Sequence, residues 1–237
     1  MMQGGGNNRT GINRNCINSI GAILAAFAWF AALPGLAQDS PQYRNGRPGD
    51  FDFYVLALSW SPSFCGTEGG RRAQDQCGFG RKLDFVVHGL WPQFTRGFPT
   101  ECQSAERSPS RPAMQAAREV FPADGLARHE WRKHGTCSGL DPQSYFEAAG
   151  KARGKVEIPK QFQGLSSEET LTPGDVERAF VAANRGLRAD MIAVTCSRGA
   201  LQEVRVCLSK DLRDFTSCPE VNRGGCRARD FSVPPVR

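Results

Sequence analysis

Apolar residues form four short runs that predict β-strands. The first run reads F-D-F-Y-V-L-A-L-S-W and is apolar at nearly every position, which is typical of a central strand buried on both faces. The second run is expected to deliver His88 at its end, and the last two alternate like an antiparallel pair that turns at Arg198-Gly199. The predicted strands are Phe51–Trp60, Leu83–Val87, Met191–Cys196 and Leu201–Leu208.

Helices are predicted from the residues at their ends. Asp141 is a good N-cap residue and is followed by proline at the first helical position, and Thr172-Pro173 repeats that signal. Nothing breaks a helix between Leu126 and Gly135, where the glycine is expected to stop it. The predicted helices are Ala113–Val120, the helix that begins at Leu126, Pro142–Lys151 and Pro173–Asn184.

Other segments lack such periodicity and predict loops. Cys65–Cys77 encloses Gly and Arg pairs and is interpreted as a flexible basic loop, while Phe94–Pro112 is rich in Pro, Ser and Arg. Little regular structure is expected in the tail that holds Cys218 and Cys226. Because helices and strands mix without a strict βαβ rhythm, the predicted fold class is α+β, with a largely antiparallel central sheet and flanking helices.

The N-terminal segment has the features of an export signal. Two arginines precede an apolar stretch from Ile20 to Leu33, Pro34-Gly35 breaks it, and Ala37 is a small residue at a plausible cleavage point. The stretch is short for a membrane span, which needs about 20 apolar residues, although an uncleaved anchor is the alternative. The predicted organisation is a signal peptide at 1–37 and a single catalytic domain at 38–237.

Cysteine usage and charge fit an exported protein. Removal of a signal that carries two arginines and no acidic residue lowers the formal net charge from +6 to +4, which is compatible with a polyanionic partner. Cys16 would be lost with the signal, and an even number of cysteines in an oxidising compartment predicts four disulfides. A cysteine zinc site is disfavoured because no C-x-x-C pair exists, and a cysteine nucleophile because it would leave an odd partner. The remaining cysteines are Cys65, Cys77, Cys102, Cys137, Cys196, Cys207, Cys218 and Cys226.

The predicted Leu126 helix carries the candidate chemistry. Positions i, i+3 and i+4 share a helix face, which puts Glu130, Lys133 and His134 side by side with His129 at the edge. A carboxylate, an ammonium and an imidazole on one face can form an acid/base site with an anion binder, although a solvated charged face is the alternative. The chain holds three histidines, and the third, His88, follows the second predicted strand.

Three hydrolytic chemistries can be weighed against these residues. His129-Glu130 begins a pattern like the zinc motif H-E-x-x-H, but position i+4 is Lys133, which would repel a dication. A serine hydrolase is disfavoured because no G-x-S-x-G elbow is present. Phosphoryl transfer within RNA needs a base for the 2′-hydroxyl, an acid for the departing 5′-oxygen and a cation for the phosphorane, and this set of residues supplies all three without a metal.

Two segments resemble the active-site segments of the ribonuclease T2 family. They are H-G-L-W-P at His88–Pro92 and H-E-W-x-K-H-G-T-C at His129–Cys137, and both match without substitution and in the expected order. The resemblance extends to the first predicted strand and the cysteine pattern, so that it covers roughly Phe51 to Cys226. It implies an α+β fold and endonucleolytic cleavage of RNA through a 2′,3′-cyclic phosphate to a 3′-phosphate, without a cofactor.

The resemblance also implies roles for individual residues. His88 and His134 would be the acid/base pair, with His134 as base and His88 as acid, although chemistry alone permits the reverse. Glu130 and Lys133 would stabilise the transition state. His129 would contact a phosphate and Trp91 would line the substrate site. The implied disulfides are Cys65–Cys77, Cys102–Cys137, Cys196–Cys226 and Cys207–Cys218.

Simpler structural interpretations stand beside these roles. Trp91 would otherwise be a core aromatic, and His129 a surface histidine paired with Glu130. Arg71 and Arg72 are interpreted as part of a solvated loop. Core positions are predicted for Tyr54, Trp60 and Trp131. An exported RNA-binding or cytotoxic protein that kept the fold and lost turnover is the alternative function.

The expected partner is RNA, preferably single-stranded. DNA should not be cut because it lacks the 2′-hydroxyl nucleophile, and activity should survive EDTA. The mature protein is expected to be a monomer with no membrane attachment, located in the periplasm or the medium. Its sequence has no N-x-S/T site, because the one at Asn8 lies in the predicted signal.

Overall fold

The computed structural model describes residues 43–44 and 46–236. Its strands are β1 Tyr43–Arg44, β2 Phe53–Trp60, β3 Phe85–Gln93, β4 Phe98–Pro99, β5 Glu169–Leu171, β6 Ile192–Ser197, β7 Ala200–Ser209 and β8 Phe231–Val233. Its α-helices are α1 Ser61–Cys65, α2 Glu68–Arg72, α3 Gln74–Cys77, α4 Arg111–Arg118, α5 Asp124–Lys133, α6 Pro142–Lys155, α7 Pro173–Ala183 and α8 Pro219–Arg223. Short 3-10 turns lie at Gly135–Cys137, Lys160–Phe162 and Ala189–Met191.

A largely antiparallel sheet forms the centre of the fold, as predicted. Its strand order is β3-β2-β7-β8-β5, and β6 pairs with β7. The contact between β7 and β8 is parallel, and the other pairings in this sheet are antiparallel. A separate parallel pair joins β1 to β4. The fold class is therefore α+β.

The two faces of β2 have different neighbours, because side chains alternate along a strand. Leu56, Leu58 and Trp60 point into the main core, where buried residues of α4, α5, α6 and α7 pack against the sheet. Phe53 and Val55 point to the opposite face and join a smaller cluster that Trp91 borders. The prediction that this strand is buried on both faces is confirmed, and the second face is the one that carries the site described below.

The prediction that His88 ends its strand is wrong. β3 runs on to Gln93, so that His88 lies within the strand. Ala57 pairs with Gly89 and the next residue, Leu58, pairs with Val87, which makes His88 the extra residue of a β-bulge. A bulge lets a strand change which side chains face the core. Val87 and Leu90 both enter the main core, and His88 between them is turned away from it.

The helix that carries the second motif ends earlier than predicted. α5 starts at Asp124 and ends at Lys133, so that Gly125 lies inside its first turn and His134 is its C-cap residue. Gly135 does not adopt the left-handed conformation of a glycine stop. It is required for another reason, because a Cβ atom there would collide with the Trp131 ring and press on Tyr145.

Two segments predicted to be irregular contain regular structure. The Cys65–Cys77 segment is not a flexible loop, because α1 ends at Cys65 and the helices α2 and α3 follow within the segment. The tail contains α8 and β8, and β8 joins the main sheet. Both segments are short, and their apolar residues are too few to show a helix or strand period. The helices predicted at Ala113, Pro142 and Pro173 are confirmed, and their ends differ from the predicted ones by at most four residues.

Four disulfides hold the described chain, in the pairing that the resemblance implies. They join Cys65 to Cys77, Cys102 to Cys137, Cys196 to Cys226 and Cys207 to Cys218. The predicted signal peptide, by contrast, lies outside the described residues. Within 43–44 and 46–236 there is no helix whose length and hydropathy would suit a membrane span.

Candidate active site

His88 lies between two buried carboxylates. Its Nδ1 donates a hydrogen bond to Glu203 Oε1, and its Nε2 lies 3.6 Å from Glu130 Oε1. Burial by itself would lower the pKa of His88. The hydrogen bond and charge of Glu203, together with the charge of Glu130, outweigh burial and raise that pKa above its usual value of 6.5. The two carboxylates therefore favour the protonated form of His88.

Glu203 is a residue of the candidate site that sequence reasoning missed. It lies on β7 and is 2% exposed. Arg205 donates two hydrogen bonds to Glu203 Oε2, from Nε at 2.9 Å and from Nη2 at 2.8 Å. Burial would raise the pKa of Glu203, but His88 and Arg205 lower it to about 2, so that the carboxylate is ionised. The available signal was an acid and a base two residues apart in an alternating strand, which places both on one face.

Glu130 and Trp91 lie beside the His88 ring, together with Glu203. Glu130 is 1% exposed, and its Oε2 accepts a hydrogen bond from Trp91 Nε1 at 2.7 Å. Burial raises the pKa of Glu130, against the opposing effects of His88, Trp91 and Lys133. Gly89 makes this arrangement possible, because a Cβ atom at that position would overlap both the Glu130 carboxylate and the Trp91 indole. The glycine of the first motif is thus a steric requirement of the site.

His134 occupies a different environment at the end of α5. Its backbone N–H donates to Glu130 O at 2.9 Å, its side chain is buried, and its Nδ1 has no hydrogen-bond partner among the described residues. Burial lowers the pKa of His134 to about 3, and the positive charges of Lys133, His88 and His129 act in the same direction. His134 is therefore neutral at working pH.

The Trp91 indole lies between the two histidines. Its ring centroid is 5.4 Å from that of His88 and 5.2 Å from that of His134. On the sheet side, the Arg205 guanidinium lies 5.1 Å from the centroid of the same ring. Trp91 is partly buried and also packs against the small cluster of Phe53 and Val55. The core positions predicted for Tyr54, Trp60 and Trp131 are confirmed.

Lys133 and His129 lie at the periphery. Lys133 is partly buried and acts electrostatically on His134, Glu130 and His129. His129 is largely exposed. The pKa of His129 is lowered by the burial of the rest of its ring and by the positive charge of Lys133. The alternative in which His129 pairs with Glu130 is not what the structure shows, because Glu130 turns its carboxylate to His88 and Trp91.

The end of α5 is fixed by the loop that follows the first motif. Glu101 N–H and Thr100 Oγ1 both donate to the Lys133 carbonyl, at 2.8 and 3.2 Å. The next residue, Cys102, is bonded to Cys137. These links hold the segment with His134 against the segment with His88. Within the described residues, no group of three or more His, Cys, Asp and Glu side chains could hold a metal ion.

A cavity of about 1310 Å³ opens beside His88. Glu203 and the helical segment between Cys65 and Cys77 form part of its lining, together with residues of the β6–β7 turn. His134, Lys133 and Trp91 do not line it. The cavity therefore approaches the pair of histidines from the His88 side.

Comparisons with known proteins place the chain in one class, the RNA-cleaving enzymes. The model of the ribonuclease T2 family matches residues 51–218. The chain is 34% identical to a ribonuclease of Aeromonas hydrophila over 92% of its own length and 97% of that protein. It is 27% identical to ribonuclease I of Escherichia coli, over 83% and 90% of the two chains. The chain belongs to the ribonuclease T2 family and is an endoribonuclease.

Solved structures agree in fold. RNase NT, crystallised in complex with 5′-AMP, aligns with a TM-score of 0.58 and 25% identity, covering 78% of this chain and 99% of that protein. An RNase-related protein from Calystegia sepium aligns with a TM-score of 0.62 and 22% identity, covering 79% and 98%. The second similarity is one of fold alone.

Proposed function

We propose that this enzyme cleaves RNA without a metal or cofactor, by attack of the 2′-hydroxyl on the adjacent phosphate. The observation that carries the proposal is the contrast between two histidines on either side of Trp91. His88 is hydrogen-bonded to an ionised carboxylate, whereas His134 is buried and its Nδ1 has no hydrogen-bond partner within the part of the chain that the structure describes. One imidazole is thus charged and the other neutral at the same pH, as general acid and base catalysis requires.

In the first step, neutral His134 removes the proton of the 2′-hydroxyl. The 2′-oxygen forms a bond to phosphorus, and the bond from phosphorus to the 5′-oxygen breaks. Protonated His88 gives its proton to that 5′-oxygen. The products are a 2′,3′-cyclic phosphate and a free 5′-hydroxyl, and the two histidines have exchanged protonation states.

In the second step the roles reverse. Neutral His88 removes a proton from water, the water oxygen bonds to phosphorus, and the bond to the 2′-oxygen breaks. His134 returns its proton to the 2′-oxygen. The product is a 3′-phosphate, and both histidines regain their starting states.

The surrounding charges have separate roles. Lys133 lies beside His134 and would stabilise the negative phosphorane. Glu130 stabilises the charged form of His88 and fixes the Trp91 indole, and in this way it supports the transition state. Glu203 is a positioning residue, since it orients His88 through Nδ1 and leaves Nε2 for the proton transfer. Trp91 lines the substrate site, and exposed His129 would contact a neighbouring phosphate.

The cellular setting is also part of the proposal. Cleavage after Ala37 would release a monomeric single domain, 38–237, into the periplasm or the medium without a membrane attachment. Four disulfides support an oxidising compartment. RNA would be preferred in single-stranded form, and DNA would not be cut because it lacks the nucleophile.

The test uses the purified oxidised protein in EDTA, with a short RNA and the same oligomer carrying 2′-O-methyl groups. Mass spectrometry should find a cyclic phosphate or 3′-phosphate from the RNA, and both the methylated strand and a DNA strand intact. Cleavage of the methylated strand would show that water is the nucleophile and would contradict the roles of His88 and His134. An intact RNA would contradict the proposed mechanism as a whole.

A further inference from the structure

Three basic side chains line the cavity beside His88 without an ion pair among the described residues. They are Arg81, Lys82 and Arg198. Arg72, which also lines the cavity, is paired with Glu68. The acidic residue nearest to the reaction, Glu203, is already neutralised by His88 and Arg205. Asp75 and Glu168 also line the cavity and form no ion pair among the described residues. The three unpaired cations therefore exceed the unpaired acids by one, and this net positive charge favours a polyanion.

An exposed aromatic residue closely precedes two of these cations in the sequence. Phe79 is fully exposed, and among the described residues Leu140 is the one other large apolar side chain that is exposed. Phe79 does not itself line the cavity, but Gly78, Arg81 and Lys82 do, so that Phe79 belongs to a segment that borders the cavity. An exposed ring beside backbone-binding cations is the arrangement on which single-stranded nucleic acids stack.

The position of the cavity identifies which part of an RNA strand would enter it. His88 lines the cavity, whereas His134 and Lys133 do not. His88 is the acid that protonates the departing 5′-oxygen, so that the cavity extends from the leaving-group side of the scissile phosphate. Nucleotides on that side lie downstream, toward the 3′ end of the substrate.

We propose that Phe79, Arg81, Lys82 and Arg198 form a distal subsite that binds substrate RNA several nucleotides downstream of the scissile phosphate. The cations contact phosphates along the cavity wall and Phe79 stacks on a base. Binding of this kind reads no sequence, because every base has a face on which to stack. It favours long single strands over dinucleotides, and it rests on the proposed function.

The test uses 2′-O-methyl oligomers that each contain one ribonucleotide, so that the cleavage position is fixed. One has five nucleotides downstream of the ribonucleotide and one upstream, a second reverses these lengths, and a third has one on each side. We expect downstream extension to raise kcat/KM by about 10-fold or more, in line with stacking and phosphate contacts, and upstream extension to have a smaller effect.

Two variants should remove the downstream gain. Phe79→Ser should lower kcat/KM on the downstream-extended oligomer by about 10-fold and leave the shortest oligomer within twofold. Arg81→Ser with Lys82→Ser should likewise lower kcat/KM on the downstream-extended oligomer and spare the shortest one. This double variant should also reduce the slope of log kcat/KM against log salt by about 1.4, because each lost phosphate contact contributes about 0.7 on a single strand. Leu140→Ser is the matched control for the loss of exposed apolar area, and Arg227→Ser with Arg229→Ser is the control for the loss of charge. None of these three residues lines the cavity.

The outcomes separate this proposal from the function on which it rests. The distal subsite would be overturned if the Phe79 or Arg81/Lys82 variants lost equal kcat/KM on long and short oligomers. It would also be overturned if the Arg227/Arg229 control lost as much kcat/KM as the Arg81/Lys82 variant. Failure of the unaltered protein to cleave any oligomer would contradict the proposed mechanism instead. In that case binding is measured instead, by the fluorescence anisotropy of a labelled, fully 2′-O-methylated strand. If Phe79→Ser binds this strand as tightly as the unaltered protein does, the subsite is overturned.

Discussion

His88 and His134 are the same kind of side chain in opposite surroundings. The pocket of His88 lies on the sheet, where Glu203 and Glu130 favour the imidazolium. The pocket of His134 lies at the end of α5, where burial and the neighbouring Lys133 favour the neutral ring. The difference shows that the surroundings of each histidine set its pKa, and the pKa determines which histidine suits the role of acid and which that of base. It supports the same assignment that the family resemblance implies, which chemistry alone leaves open.

The largest expected effect comes from removing either member of the pair. His88→Ala and His134→Ala should each lower kcat by about 10²–10⁴-fold, the usual contribution of general acid or base catalysis. Steady-state kinetics on a single-ribonucleotide substrate would measure it, with circular dichroism to verify folding. A residue that could be removed with less than a twofold loss would not be the acid or the base.

The two pockets also depend on the link that joins them. Cys102→Ala with Cys137→Ala should destabilise the protein by about 3–4 kcal/mol, because the bridge closes a 35-residue separation. It should also lower kcat in the protein that remains folded, since the His134 segment loses its attachment. Denaturant unfolding and kinetics measure the two effects.

The matched control removes Cys196–Cys226, which closes a similar separation of 30 residues. It should cost comparable stability and leave kcat nearly unchanged, because it holds β6 and not the site. If both bridges affect kcat equally, the first one has no special role in uniting the two pockets.

A smaller change should alter one pocket alone. Glu203→Gln removes the charge that raises the pKa of His88, so that this pKa should fall. Because His88 must be protonated, the alkaline limb of the kcat/KM profile should move to lower pH, and activity should fall more at pH 8 than at pH 5. Glu203→Asp should partly restore the profile. A uniform loss at every pH would point to a merely structural role for Glu203.

The smallest effect is expected outside both pockets. His129 is exposed, so His129→Ala should raise KM by about two- to fivefold, the range of an exposed charged contact, and leave kcat nearly unchanged. A large fall in kcat would move His129 into the catalytic pair and would break the comparison between the two histidines.

Sequence reasoning predicted the fold class and gathered the main site residues, because β2 has an unambiguous apolar pattern and the two motifs are local. It misplaced His88 because a bulge depends on the register with β2, which no local pattern contains. It missed Glu203 because that residue lies 115 positions from His88 in the chain. Gly135 was assigned a helix stop, whereas its role is close packing against Trp131, which becomes visible only in three dimensions.

The most direct test is an NMR titration of the imidazole resonances in the purified protein, whose three histidines all belong to the described residues. Single His→Gln variants would assign the signals. We predict that His88 titrates above 6.5, that His134 remains neutral far into the acid range, and that Glu203→Gln lowers the pKa of His88 alone. A His134 that titrates above His88 would reverse the acid and base and contradict the account.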